Sequence, residues 1–131
     1  MKNIKIAICV IFLIVSVISC NKTAVQANLL VGKWNIVTDS SYSPIANIGV
    51  KNYIGTSGDY YKFTDNGTVY LNENSILDTA TYSMINDNLN IVYNSGSYSP
   101  YYITNLTVNT VILTLVTPPL GPKRIINLSK K

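Results

Sequence analysis

Tyr60-Tyr61-Lys62-Phe63-Thr64-Asp65-Asn66-Gly67-Thr68-Val69-Tyr70-Leu71 sets two runs of strand-forming residues on either side of a turn triplet. A three-residue loop at Asp65-Asn66-Gly67, with Gly67 in the left-handed position, pairs Phe63 with Val69 and Tyr61 with Leu71. Those side chains then share one face, with Lys62 on the other. A two-residue turn would set Phe63 against Tyr70 and Tyr61 against Asn72, a poorer core. Outward from this hairpin the pattern repeats, as short runs of Val, Ile, Tyr, Thr and Leu punctuated by Asn, Asp, Gly, Ser and Pro, almost without helical periodicity. Strands are predicted at 33–38, 59–65, 68–72, 79–85, 89–94, 100–107, 111–117 and 124–129. Around Asp87-Asn88 a two-residue turn pairs Met84 with Ile91 and Tyr82 with Tyr93. Ile103 and Leu106 have opposite parity, so one of them faces out unless a bulge intervenes.

Long and short connections alternate along the chain. Segments 39–58, 73–78, 95–99 and 118–123 therefore crowd one rim, and tight turns close the other end. The fold class expected is all-β, an eight-stranded antiparallel up-and-down barrel with a loop-rich mouth and a plain base. Its expected core is Trp34, Ile36, Tyr61, Phe63, Val69, Leu71, Tyr82, Met84, Ile91, Leu113 and Leu115. The tetrapeptide Ser-Tyr-Ser-Pro occurs at Ser41 to Pro44 and again at Ser97 to Pro100, and both copies belong to the mouth in this topology.

The N-terminus carries Lys2 and Lys5 followed by an uncharged, mostly apolar run that ends in Val17-Ile18-Ser19-Cys20. This is the pattern of a secretory signal, too short for a comfortable membrane span. The closing residues resemble the lipobox of bacterial lipoproteins, in which the cysteine after the cut carries the lipid, although Ile18 is bulkier than the pattern prefers. The resemblance divides the chain into a signal peptide at 1–19, a tether at 20–28 and a barrel domain at 29–131, with Cys20 lipidated. The other readings of the same residues are an ordinary signal cut near Ala27 and an uncleaved anchor. Cleavage before Cys20 leaves 112 residues, enough for one domain. Cys9 departs with the signal and Cys20 is consumed by lipid, so no disulfide forms within the mature chain.

Further stretches of the domain carry a second resemblance. Leu30-Val31-Gly32-Lys33-Trp34-Asn35-Ile36-Val37, the segment Tyr60 to Gly67, Tyr82-Ser83-Met84-Ile85 with Leu89-Asn90-Ile91, and Tyr102-Ile103-Thr104-Asn105-Leu106-Thr107 resemble the small lipocalin-like (calycin-like) domains of bacterial lipoproteins, especially those of Bacteroidetes. The resemblance places Gly32-x-Trp34 at the closed end of the barrel, where lipocalins usually set a basic residue from the last strand over the Trp. Arg124 begins that strand at the mouth, so Lys130 or Lys131 would take the part. Asp78-Thr79-Ala80 resembles the O-glycosylation sequon of the same phylum, with Thr79 as acceptor. Asn21-Lys22-Thr23 after Cys20 lacks the acidic cluster that resembles a surface-export signal there. The expected location is therefore the bacterial cell envelope, lipid-anchored on the periplasmic face of the outer membrane.

The sequence contains no His, and the mature form has no free thiol, which removes His-centred triads and Cys or His metal sites. No catalytic residue, metal or cofactor is expected, and the protein reads as not an enzyme. Asp39, Asp59, Glu73 and Asp78 read as rim or turn carboxylates. After cleavage, eight scattered basic residues against six acidic ones make too weak a field for nucleic acid. Among ten tyrosines, Tyr42, Tyr53, Tyr60, Tyr98 and Tyr101 fall on or beside the mouth. They offer flat apolar faces with polar tips to an amphipathic ligand or glycan, and Arg124 could receive a carboxylate or phosphate. Besides the membrane, the expected partner is an unknown small ligand taken at the open end. The alternative is a filled barrel whose mouth loops bind a protein or glycan.

Overall fold

The computed structural model describes residues 23–42, 50–116 and 123–130. Cys20 and Pro44 lie outside the described residues. A helix, α1 (residues 23–30), precedes nine strands. These are β1 (Gly32–Tyr42), β2 (Lys51–Ile54), β3 (Tyr60–Phe63), β4 (Thr68–Glu73), β5 (Ile76–Ile85), β6 (Asn88–Tyr93), β7 (Tyr98–Leu106), β8 (Thr110–Val116) and β9 (Lys123–Ser129). On one side of β1, β3 pairs along Gly32 to Asn35 and β2 along Thr38 to Ser41. From β3 to β9 each strand pairs antiparallel with the next, and β9 returns to the other side of β1. Because β2 and β3 share one place beside β1, the nine strands form a closed eight-stranded antiparallel barrel.

The deciding hairpin has the expected register, Phe63 opposite Val69 and Tyr61 opposite Leu71, with Gly67 at φ 80°. The parity conflict in β7 is resolved by a bulge between Ile103 and Asn105, which turns both Ile103 and Leu106 toward the core. Four expectations need correction. Segment 39–58 is not wholly a connection, since β1 runs on to Tyr42 and Lys51–Ile54 forms β2 against it. The β5–β6 turn is Asn86-Asp87, so Met84 pairs with Leu89 and Tyr82 with Ile91, although the inward faces are unchanged. Asn86 occupies the left-handed region at φ 52°, a conformation asparagine tolerates. Segment 73–78 is not a loop, because Asn74 and Ser75 both adopt positive φ and make a two-residue turn between Glu73 and Ile76. Finally, the stretch expected to be a plain tether is helical from Thr23 and packs on the barrel. Ala24, Gln26, Ala27, Leu29 and Leu30 favour helix, and Leu30 is fully buried.

The expected core residues Trp34, Ile36, Tyr61, Phe63, Val69, Leu71, Ile91 and Leu113 are buried, with Tyr82, Met84 and Leu115 packed against them. Leu30, Ala80, Leu89, Tyr101, Ile103, Val111, Ile126 and Leu128 complete the cluster. At the base, Trp34 Nε1 donates to Leu30 O at 2.6 Å, and Lys130 Nζ sits 4.3 Å above the indole ring. The same ammonium donates to the carbonyls of Leu29 and Val31. Gly32, at φ 132°, lies so close to Lys130 that a Cβ would come within 3.1 Å of Lys130 Cε. Gly-x-Trp thus makes room for the cation that covers the tryptophan.

Residues 55–59 interrupt the wall between β2 and β3. Gly55 N donates to Val37 O, and Asp59 O accepts from Ile36 N, so both ends of the excursion are tied to β1 where its register shifts. A Cβ on Gly55 would stand 1.9 Å from Ile36 O, a backbone atom, whereas one on Gly58 would meet nothing nearer than 3.9 Å. Gly55→Ala is therefore expected to cost about 1 to 3 kcal/mol, the usual range for overpacking. Urea unfolding should show Gly58→Ala close to wild type.

Candidate functional site

The interior is filled from the base up to Tyr61 and Tyr101, and above them the barrel opens into a cup of about 300 Å³. Tyr61, Leu71, Ile76 and Tyr93 give it apolar surface, interleaved with the polar groups of Glu73, Asn74, Asp78 and Arg124. Strand alternation explains most of this lining: Tyr61, Leu71, Glu73 and Tyr93 project inward at the mouth ends of β3, β4 and β6. Burial pushes the hydroxyls of Tyr61 and Tyr101 well above the ordinary tyrosine value, so both stay neutral.

Arg124 spans two carboxylates. Its Nε donates to Asp39 Oδ1 and Oδ2 at 3.0 and 2.9 Å, and Nη2 donates to Asp39 Oδ2 and to both oxygens of Glu73, at 2.9 and 2.7 Å. Nη1 points to Tyr101 OH at 3.4 Å. Burial works against the guanidinium's charge, but the Asp39 hydrogen bonds outweigh it and hold Arg124 firmly protonated. Burial raises the Glu73 carboxyl above its ordinary value; Arg124 opposes the rise and the neighbouring Asp39 carboxylate adds to it. With Nε and Nη2 committed to Asp39 and Glu73, Arg124 keeps only Nη1 for any further acceptor. Within the cup itself the charged lining is Glu73, Asp78 and Arg124, two carboxylates to one guanidinium, while Lys51 and Lys123 stand at the ends of β2 and β9 on the same rim.

Asp59 secures the rim from within the wall. Only 2% exposed, it accepts at Oδ2 from Tyr53 OH, Thr56 N and Thr56 Oγ1 at 2.6 to 2.7 Å, and at Oδ1 from Asn74 N at 2.9 Å. Those bonds, Tyr53's first, hold its carboxyl down at about 2, and the same contact raises the Tyr53 hydroxyl. The clasp joins the interruption in one wall to the Asn74-Ser75 turn of the next.

Of the residues expected to meet a ligand, Arg124 lines the cup, Tyr101 is buried beneath it, and Tyr53 is turned to Asp59. Tyr42 is exposed at the end of β1, and Tyr60 lies under Lys33, whose Nζ is 4.3 Å from its ring centre. Tyr98 is exposed, with its hydroxyl on Asn90 Oδ1, and Pro100 falls inside β7 rather than in a loop. Thr79 is half-buried on β5 opposite the exposed Tyr70. Tyr61, Leu71 and Tyr93 of the cup belong to strands that the sequence pointed inward. Asp39, Glu73 and Asn74 carry no local signal for the parts they take.

Among the described residues no group of three His, Cys, Asp or Glu side chains could hold a metal ion. Comparison with curated proteins and with solved structures gave no match. A family model, the lipocalin-like domain, matches residues 30–113, which run from the buried Leu30 at the base through the Gly-x-Trp strand and on into β8. That match covers more than half of the chain and agrees with the closed eight-stranded barrel, so the chain belongs to the lipocalin-like domain family.

Proposed function

We propose that the protein is a non-enzymatic binding protein, lipid-anchored through Cys20 on the periplasmic face of the outer membrane, that takes a small amphipathic molecule into the cup. The observation that carries this reading is the cup itself, about 300 Å³, lined by apolar Tyr61, Leu71, Ile76 and Tyr93 together with polar Glu73, Asn74 and Asp78. Its volume stands at the lower end of ligand pockets, roughly 300 to 1,000 Å³, which suits a compact ligand. Because the carboxylates outnumber the guanidinium and Arg124 is engaged, the ligand's polar part offers hydrogen-bond donors. Barrel families of this kind generally serve binding rather than catalysis, and a cup without His or a free thiol agrees with that role.

Two measurements test the proposal. Native mass spectrometry of the detergent-extracted protein should show a retained small molecule, and a neutral lipophilic fluorophore such as N-phenyl-1-naphthylamine should bind with one-to-one stoichiometry. Ile76→Trp, which places bulk at an exposed edge of the cup, should weaken fluorophore binding at least tenfold while leaving the melting temperature close to wild type. Equal binding by Ile76→Trp would rule out the cup. For the anchor, Cys20→Ala should abolish acyl labelling and release the protein from the outer-membrane fraction.

A further inference from the structure

The chain enters the domain at the closed end, and side-chain contacts hold it there. Thr23 Oγ1 donates to Asn86 Oδ1 at 3.2 Å and Gln26 Nε2 to Asp87 Oδ1 at 2.7 Å, so α1 lies against the β5–β6 turn. Lys130, which covers Trp34, also binds the last carbonyls of this segment. Only Asn21 and Lys22 lie between Cys20 and Thr23, so the chain reaches at most about 11 Å from one to the other. The barrel is much taller than that: the 11 residues of β1, tilted as barrel strands are, rise roughly 25 Å from base to rim.

The closed end also presents side chains of the kind a lipid surface accepts. Val25 on α1, Ile85 before the β5–β6 turn and Val108 in the β7–β8 turn are 59%, 65% and 64% exposed. On the outer wall beside them, Lys33 and Lys62 stand directly opposite each other in the β1–β3 ladder and both are exposed. Lys33 carries its Nζ over the Tyr60 ring, and two exposed ammonium groups on this wall attract a layer of anionic headgroups.

We infer that the domain stands on its closed end. The face made by α1 and the β5–β6 and β7–β8 turns rests on the anionic bilayer that holds the Cys20 lipid, and the cup opens away from that membrane. The inference rests on the lipid-anchor reading above but not on the identity of any ligand. Under it, the ligand arrives from the aqueous side or from a facing partner, not from the bilayer beneath. The apolar rim residues Ile76 and Leu77, 69% and 73% exposed, likewise face away from the anchoring membrane.

The test uses the processed, acylated chain, residues 20–131, in vesicles of phosphatidylethanolamine and phosphatidylglycerol. With Cys20 acylated, single substitutions Val108→Cys, Ser95→Cys and Leu77→Cys each provide one thiol for a fluorophore, the first at the base and the others at the mouth. Vesicles carrying a headgroup quencher should quench the label at position 108 several-fold more than those at 95 and 77. Equal quenching, or stronger quenching at the mouth, in protein that floats with the vesicles overturns the orientation alone. Protein that carries no acyl mass and does not float overturns the anchor reading, and the orientation with it.

Discussion

Trp34→Ala is expected to destabilise the domain by about 3 to 5 kcal/mol, the cost of emptying a buried site of a large aromatic. Trp34 is fully buried, its indole N–H holds Leu30 O, and Lys130 covers its outer face. The substitution therefore opens the floor of the barrel and releases both α1 and the end of β9. For a domain of this size the melting temperature should fall by roughly 15 to 25 °C. Trp34→Phe retains most of the volume but loses the hydrogen bond, so it should fall between wild type and the alanine variant. Melting curves of the three proteins check the order, and an unchanged Trp34→Ala curve would show that the base is held some other way.

The second large effect lies at the other end. Arg124→Ala leaves Asp39, 5% exposed, beside Glu73 with no cation between them. Breaking a buried pair in this way costs about 3 to 5 kcal/mol, and the partial exposure of Arg124 and Glu73 places the expected loss near 3. The pH dependence has a definite sign. The Glu73 carboxyl is already raised by burial and opposed by Arg124, so without the guanidinium its folded value rises further above the unfolded one. The variant then gains stability as pH falls and loses it as pH rises through the folded Glu73 value. Urea unfolding at pH 7 and pH 5 should show the gap to wild type narrowing at pH 5. Asp59 does not confuse the comparison. Its carboxyl is depressed to about 2, so its contribution is present above the unfolded value near 4 and is lost only as pH falls toward 2. A double variant, Asp39→Asn with Arg124→Met, should recover most of the loss by removing the unpaired buried charge.

Much of the barrel was legible because its signals are local. Asp65-Asn66-Gly67 fixes a register that its own neighbours confirm, and strand alternation identifies Phe63, Val69 and Leu71 as inward without knowledge of any other element. The family resemblance narrowed the cation over Trp34 to Lys130 or Lys131, of which Lys130 takes the place, since nothing in composition links residues at opposite ends of the domain. The polar end of the cup was not legible, for a physical reason. Counting by twos from Trp34 and Ile36 turns Asp39 outward, but the register shift between Ile36 and Thr38 turns it in, opposite Ile126. Its ion-pair partner is 85 positions away and becomes a neighbour only when β9 closes on β1. The Asn74-Ser75 turn was hidden because Ser stands where a turn of that type usually has Gly, and the tie from Asn74 N to Asp59 comes from another strand.

The return of β9 to β1 also bears on how copies of this protein tolerate crowding. Open strand edges are templates on which a second chain can zip, and tethering molecules to a surface raises their mutual concentration. Among the described strands, only β2 pairs on a single side. That edge is four residues long, is twisted away into the Gly55 to Asp59 excursion, and begins at the exposed Lys51. Copies of this domain held close together thus offer, among the described strands, only this short edge on which cross-β aggregation could start.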